Sequence, residues 1–300
     1  MIGELAALGA ALCWTFSAVL YRKALVETTP ISANVVRCAG TSLILFLFFA
    51  LLGKVYVFAS LPVHVVLLTS ISGIIGLGLG DTLYMKSLEI LGVARAVPIT
   101  CTYPLFSLVW AYLFVGENLT LPLIFGATII VLGIWLLTPV EKQHKTNESK
   151  RLIKIRSRGI VFALATAVTW SVSISMVNLS VRASSGFEQA YAINTLRLVS
   201  VAILLLALVP LGDGKHFLQG IRLKTAAMLL AGGLIAIGVG WFFLITSFIY
   251  IPESQAVPIS STTPLFSALF GVLFLHEKVT YRIAIGSVII VIGIFFVFMV

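Results

Sequence analysis

Ten times along its length this chain runs for about twenty residues almost without charge, the length an α-helix needs to cross a bilayer. The runs lie near residues 3–21, 31–52, 63–86, 93–115, 121–138, 159–181, 189–210, 224–248, 253–275 and 281–300. They are continuous rather than alternating, so each is predicted to be a helix; a barrel strand would need only about ten alternating residues. Charged residues make up 10% of the 300 and hydrophobic residues 60%, against about 25% charged in a soluble globule. No water-facing surface can be built from that composition. The expectation is an all-α integral membrane protein, which excludes a soluble enzyme, a DNA-binding module and a disordered scaffold. The opening MIGELAALGAALCW has no basic segment ahead of its apolar run, so no cleavable signal peptide is expected. Cys13, Cys38 and Cys101 match no metal or disulfide spacing and read as packed thiols.

The net charge of +9 acquires a meaning once each cation is given a side. Ten spans put Arg22, Lys23, Lys86, Arg95, the basic residues of 142–158, Lys215, Arg222, Lys224, Lys278 and Arg282 on one face, and only Lys54 and Arg182 on the other. By the positive-inside rule the first face is cytoplasmic, both termini are outside, and the excess charge is an orientation signal rather than a nucleic-acid site. The stretch EKQHKTNESKRLIKIRSR, residues 141–158, is the sustained polar segment. It divides the chain into 1–139, a basic cytoplasmic linker at 140–158, and 159–300, with five spans on either side.

The two halves repeat each other. At an offset of 160, AVPITCTYPLFS from Ala96 aligns with AVPISSTTPLFS from Ala256. The same offset pairs Asn34 and Arg37 with Asn194 and Arg197, Gly73, Gly78 and Gly80 with Gly233, Gly238 and Gly240, Glu117 with Glu277, and Gly133 with Gly293. A repeat with an odd number of spans enters the membrane in opposite directions in its two copies. Inverted repeats of this kind are a common secondary-transporter architecture, with the binding site near the midplane between them.

Both halves resemble the EamA repeat of the drug/metabolite transporter superfamily. The resemblance is carried by a Trp-Ser first helix (Trp14, Ser17; Trp170, Ser173), an Arg in the second, a Gly-rich third, and a fourth with the Ala-Val-Pro…Pro-Leu-Phe-Ser pattern that ends at Gly116-Glu117 or His276-Glu277. It implies a ten-helix carrier whose central cavity is lined by helices one, three and four and their repeat partners, moving amino acids, nucleotide sugars, drugs or other small metabolites. His276 in place of the Gly seen at 116 departs from the pattern, and so do termini placed outside.

Several residues are candidates for the work. Ionisable groups inside a span are costly and need a partner or a role. Arg37 lies about 9 Å into the second span at 1.5 Å per residue, and Asp81 reaches a similar depth in the third, so an Arg37–Asp81 ion pair is predicted. Arg197 sits at the matching outer depth, but the residue matching Asp81 is Trp241, whose indole face can receive a cation; Glu117 and Glu253 are carboxylate candidates for it. Two roles fit these arginines: bracing helices, and gating or holding an anionic substrate group. The fourth helix carries Pro98 and Pro104 around Thr100, Thr102 and Tyr103, and the ninth carries Pro258 and Pro264 around Ser260, Thr262 and Thr263. Each proline removes a helical hydrogen bond and frees carbonyls that hydroxyls, water or ligand can satisfy. These prolines are hinge candidates and the hydroxyls between them cavity walls. Trp14, Ser17 and Tyr21 share one face of the first helix, Trp170 and Ser173 repeat two of them, and Tyr84 shares a face with Asp81. Gly73, Gly76, Gly78 and Gly80 read as a surface for close helix approach. Glu117 and Glu277 precede helices that Thr120 and Thr280 could cap, and serve either helix ends or gates.

The expected activity is secondary transport, taken as export, of small metabolites such as amino acids, by alternating access and with no cofactor. The expected partners are a small-molecule substrate and the lipid bilayer of the plasma membrane, without nucleic acid; monomer and homodimer both fit. A facilitative channel is the alternative. Gly78-Leu79-Gly80-Asp81 also spells the GxGD of intramembrane aspartyl proteases, but that chemistry needs a second aspartate and the other one, Asp213, lies in a loop. With no HExxH, GxSxG or P-loop present, no further enzyme class is indicated.

Overall fold

A backbone that has left water must satisfy its own polar groups, and a chain this apolar does so as helices. The computed structural model describes residues 1–137, 150–184, 186–208, 221–266, 269–270 and 280–299. In order these form α1 (Ile2–Ala24), α2 (Pro30–Leu51), the short α3 (Tyr56–Ala59), α4 (Val63–Gly73), α5 (Asp81–Leu91), α6 (Val93–Thr100), α7 (Tyr103–Trp110), α8 (Leu121–Leu137), α9 (Lys150–Arg182), α10 (Phe187–Leu208), α11 (Leu223–Gly233), α12 (Trp241–Tyr250), α13 (Glu253–Ser260) and α14 (Tyr281–Phe298). Among the described residues seven segments are long and apolar enough to cross a membrane: Ile2–Tyr21, Pro30–Leu51, Val63–Leu91, Arg95–Val115, Ile155–Arg182, Phe187–Leu208 and Leu223–Tyr250. Leu121–Leu136 and Ala284–Phe298 are shorter apolar helices. Large apolar side chains such as Leu43, Phe46, Phe125, Trp135, Ile203 and Phe295 point outward and exposed, the arrangement a lipid solvent favours.

Three features depart from the expectation of ten plain helices. Between Gly73 and Asp81, and again between Gly233 and Trp241, the helix widens to a π-helical stretch, Ile74–Gly80 and Leu234–Gly240. π segments of this kind concentrate at functional sites. The fourth run is broken at Cys101 and Thr102 into α6 and α7, because Pro104 has no N–H and its ring clashes with the preceding turn. Third, residues 150–158 of the expected linker are helical and continue into α9. Lys, Arg and Leu are good helix formers, and extending a helix already nucleated is inexpensive. Residues 140–149 of the linker lie outside the described residues.

The halves on either side of 138–149 exchange packing partners. α1 runs along α11, the following π stretch and α12; α9 runs along α4, its π stretch and α5; α2 meets α11 and α10 meets α4. Glycines set these distances. A Cβ on Gly73 would lie 2.5 Å from the Arg197 carbonyl oxygen, and one on Gly233 3.2 Å from the Arg37 carbonyl oxygen. The same contact thus occurs twice, with the halves exchanged. At the periphery α8 and α14 touch backbone to backbone, each of Gly126 and Gly293 presenting its Cα to the other's carbonyl, with 2.8 Å left for a Cβ. Small residues permit that approach.

Candidate functional site

Among the described residues five charged side chains are buried, Glu117 and Glu253 near helix ends and Arg37, Asp81 and Arg197 within the spans. Arg37 forms an ion pair with Asp81 through Nη2. Its Nε donates to Asn34 Oδ1 at 2.9 Å, and its guanidinium lies 5.0 Å from the ring centre of Tyr21. The other Asp81 oxygen accepts from Trp170 Nε1 at 2.7 Å, so the carboxylate ties α2 and α5 to α9 of the other half. Asn34 is fixed in turn by donating to the Leu77 carbonyl at 2.8 Å and to Thr82 Oγ1 at 2.9 Å. The Leu77 carbonyl that accepts this bond lies inside the π stretch.

Arg197 has the same backbone setting and different company. Asn194 donates to the Ile237 carbonyl at 2.9 Å, as Asn34 does to Leu77. Arg197 stacks 3.8 Å from the Trp241 ring centre and donates through Nη2 to Ser173 Oγ at 3.1 Å. Ser173 also donates to the Ser72 carbonyl at 2.8 Å, and Ser72 Oγ returns a bond to the Ser173 carbonyl at 2.8 Å. This double clasp joins α4 to α9.

Aromatic rings gather around these charges. Trp170 meets Tyr84 at 5.0 Å and Tyr103 edge-on at 6.0 Å, and the Tyr103 hydroxyl faces Ser260 Oγ at 3.3 Å. Trp14 donates to the Ala236 carbonyl at 3.2 Å and meets Trp241 edge-on at 6.2 Å. Trp14, Tyr84 and Trp170 are only partly buried, although Trp14 and Trp170 pack on the main apolar cluster. Tyr84, Tyr103, Trp170, Asp81 and Ser260 thus form one group, with Trp14, Trp241 and Arg197 a second. Ser17 and Tyr21 sit at the margins of these groups: Ser17 bonds the Trp14 carbonyl at 3.0 Å, and Tyr21 is buried under Arg37 and against Gly232.

The proline-flanked hydroxyls mostly serve their own helices. Thr100, Thr102 and Thr262 donate to the carbonyls of Val97, Ile99 and Ile259 at 2.7–2.9 Å, and Ser260 donates to Val257 at 2.9 Å. Thr263 bridges outward: its carbonyl accepts from Thr15 Oγ1 at 3.1 Å, and its own Oγ1 donates to the Ala11 carbonyl at 3.4 Å. The break at 261–262, between Pro258 and Pro264, is therefore pinned to α1.

The pairing of Glu117 or Glu253 with Arg197 is corrected by the structure. Gly116, at φ +73°, ends the helix before it, and Glu117 turns to Arg182 at the end of α9, with which it forms an ion pair. Its oxygens also accept the Glu253 and Ser254 backbone N–H groups at 3.0 Å each, capping α13. The Glu253 carboxylate accepts from Ser175 Oγ at 2.5 Å and Asn178 Nδ2 at 3.0 Å. Both glutamates sit at helix ends, while Arg197 lies mid-helix. Ser175, Asn178 and Arg182 were not singled out from the sequence. Their spacing of three and four residues along one face of an otherwise apolar run was the available signal. Glu277 lies outside the described residues; Thr120 and Thr280 stand just before α8 and α14, their carbonyls accepting the N–H groups of Ile124 and Ala284. Glu117→Gln should lower stability by about 1–3 kcal/mol, because it weakens three bonds to a charged acceptor at once. Arg182→Gln, at a partly exposed side chain, should cost less; equal losses in thermal unfolding would contradict this ordering.

Two weaker links join the halves near their ends. Lys54 reaches Glu188 at 2.6 Å, and that hydrogen bond holds the ammonium above its ordinary range. Glu27 receives Arg222 at 3.4 Å and the Thr225 hydroxyl.

Comparison with known proteins bears on this geometry. Residues 1–138 and 157–299 match the EamA-like transporter family. A protein of Archaeoglobus fulgidus described as an uncharacterized transporter is 25% identical over 98% of this chain and 97% of its own. A protein of Lactobacillus johnsonii described as a putative ribose uptake protein, RbsU, is 25% identical over 81% of each chain. A solved crystal structure shares the fold with a TM-score of 0.75, at 18% identity over 99% of this chain and 96% of that one.

Proposed function

This chain belongs to the EamA-like transporter family, and we propose from that premise that it is a secondary carrier exporting small metabolites such as amino acids by alternating access. The proposed architecture is ten transmembrane helices in two inverted five-helix repeats, 1–139 and 159–300. It lies in the plasma membrane with termini outside and the 140–158 linker cytoplasmic. The observation that carries the reading is the exchanged seam, in which the first helix of each half packs along the third span of the other and the Arg–Gly contact is made twice. Two inverted copies packed on each other in this way are the architecture in which one repeat rocks against the other about a central site. The aromatic group around Trp170 and the second group around Trp241 supply walls, Asp81 and the two arginines supply charge, and the broken helices at Pro98/Pro104 and Pro258/Pro264 supply hinges.

The test is flux into liposomes holding the purified chain, with a labelled amino-acid mixture. A carrier gives saturable flux that is accelerated by unlabelled solute on the far side. Linear, non-saturating flux indifferent to counter-solute would replace this reading with the facilitative channel.

A further inference from the structure

Apart from Glu117 and Glu253 near the helix ends, the buried charges within the spans do not balance. Arg37, Asp81 and Arg197 are 2%, 5% and 0% exposed. Arg37 and Asp81 neutralise each other, and Asp81's remaining oxygen is taken by Trp170. Arg197, about 15 Å from the start of α10 at 1.5 Å per residue and so near its middle, has no counter-ion of its own: among the described residues no carboxylate lies within ion-pair distance of it, and Asp81, whose charge is felt there, is already paired with Arg37. A guanidinium keeps its proton at any physiological pH. One of its bonds goes to Ser173, while Nε and Nη1 have no hydrogen-bond partner. A buried charge in that condition is held against a large desolvation penalty.

Comparison with Arg37 shows what is missing. The two arginines share an Asn three residues earlier and a glycine of the opposite half against their backbone. Where Arg37 has the Asp81 carboxylate, Arg197 has the Trp241 ring. An indole face attracts the cation but supplies no counter-charge. The planar guanidinium has two forks, Nε with Nη2 and Nη1 with Nη2, and each keeps one unpartnered nitrogen for a carboxylate oxygen beside the nitrogen that bonds Ser173.

We propose that Arg197, with Ser173 beside it and Trp241 beneath it, is the docking point for a carboxylate of the transported molecule. The cargo supplies the acid that the first half carries permanently as Asp81. A cation would be repelled there, and a neutral hydroxyl would leave the charge uncompensated. Ser173 and Arg197 are roofed by Gly76, whose added Cβ would lie 2.2 Å from Ser173 Oγ and 3.6 Å from Arg197 Nη2. Cargo therefore enters when α9 and the π stretch part. The assignment rests on the carrier reading above and deepens it from small metabolites to carboxylates.

The experiment is thermal unfolding of the purified full chain with a panel of small carboxylic acids, amino acids among them, each beside its primary amide and at matched ionic strength. At least one acid should raise the midpoint by about 5 °C at saturation, with no effect of its amide. Arg197→Gln should abolish that shift while unfolding, without ligand, at or above the parent's midpoint. Arg197→Lys, which keeps the charge but not the fork, should retain the acid preference with affinity weakened about tenfold. The assignment is overturned by a panel with no acid preferred over its amide, by an acid shift that survives Arg197→Gln, or by Arg197→Gln unfolding several degrees early or failing to fold, since the arginine would then be a brace. The liposome assay separates the two claims. Acid preference without flux retains the site and removes the carrier. Counter-flow that takes amides as readily as acids retains the carrier and removes the site.

Discussion

Asp81→Asn should destabilise the protein by about 3–5 kcal/mol, the penalty for leaving a buried guanidinium without its counter-ion. The asparagine can still accept from Trp170, so the hydrogen bond to α9 survives; what goes is the charge opposite Arg37. Most of the loss should be recovered in the double variant Arg37→Met/Asp81→Leu, because removing both ions also removes their desolvation. Thermal or chemical unfolding of the single and double variants decides the matter. If the double variant is as unstable as Asp81→Asn, the pair is held for more than mutual neutralisation. Flux should be lost in the double variant, which leaves Trp170 Nε1 without its acceptor.

The second large effect is predicted at Gly73. An added methyl would lie 2.5 Å from the Arg197 carbonyl oxygen and 3.1 Å from its Cα. These are backbone atoms inside a helix and cannot give way, so α4 must move off α10. The Ser72–Ser173 clasp is one residue away and should open with it. Gly73→Ala should therefore cost about 1–3 kcal/mol, the usual range for overpacking, and Gly73→Val more. Gly233→Ala makes the instructive contrast. Its nearest neighbour is the Thr41 hydroxyl at 2.5 Å, with the Arg37 carbonyl at 3.2 Å, and a hydroxyl can rotate away. The matched position should tolerate a methyl better, as a comparison of unfolding midpoints will report; equal losses would mean that backbone approach is not what sets the cost.

The sequence reveals most where a pattern is periodic or repeated. Continuous apolar runs locate the helices, and the 160-residue offset pairs Asn34 with Asn194 and Arg37 with Arg197. The depth of Arg37 and Asp81 follows from counting residues along a helix. Other features depend on information that spacing does not hold. The glycines announce close approach, but not that the hydrogen-bond register widens to a π stretch between Gly73 and Asp81. Two prolines six residues apart indicate strain, but whether it becomes a kink or a full break depends on whether hydroxyls such as Thr100 and Thr102 can take the freed carbonyls. The Glu117–Arg182–Glu253 cluster joins residues from three separate segments, and only the packed fold brings them together. The helical start at Lys150 was hidden because a basic stretch reads as polar linker by composition although its residues favour the helix.

One contact at the seam also makes the native chain its own reporter. Cys13, midway along α1, rests against Gly240 at the end of the π stretch of the other half, its Cβ 3.1 Å from where a side chain on that glycine would begin. Cys38 and Cys101 are buried, whereas Cys13 is partly open. Alkylation of Cys13 by a small thiol reagent should therefore quicken whenever α1 lifts from that stretch. Its rate, followed by mass spectrometry on unmodified protein, times the parting of the two halves without any engineered label.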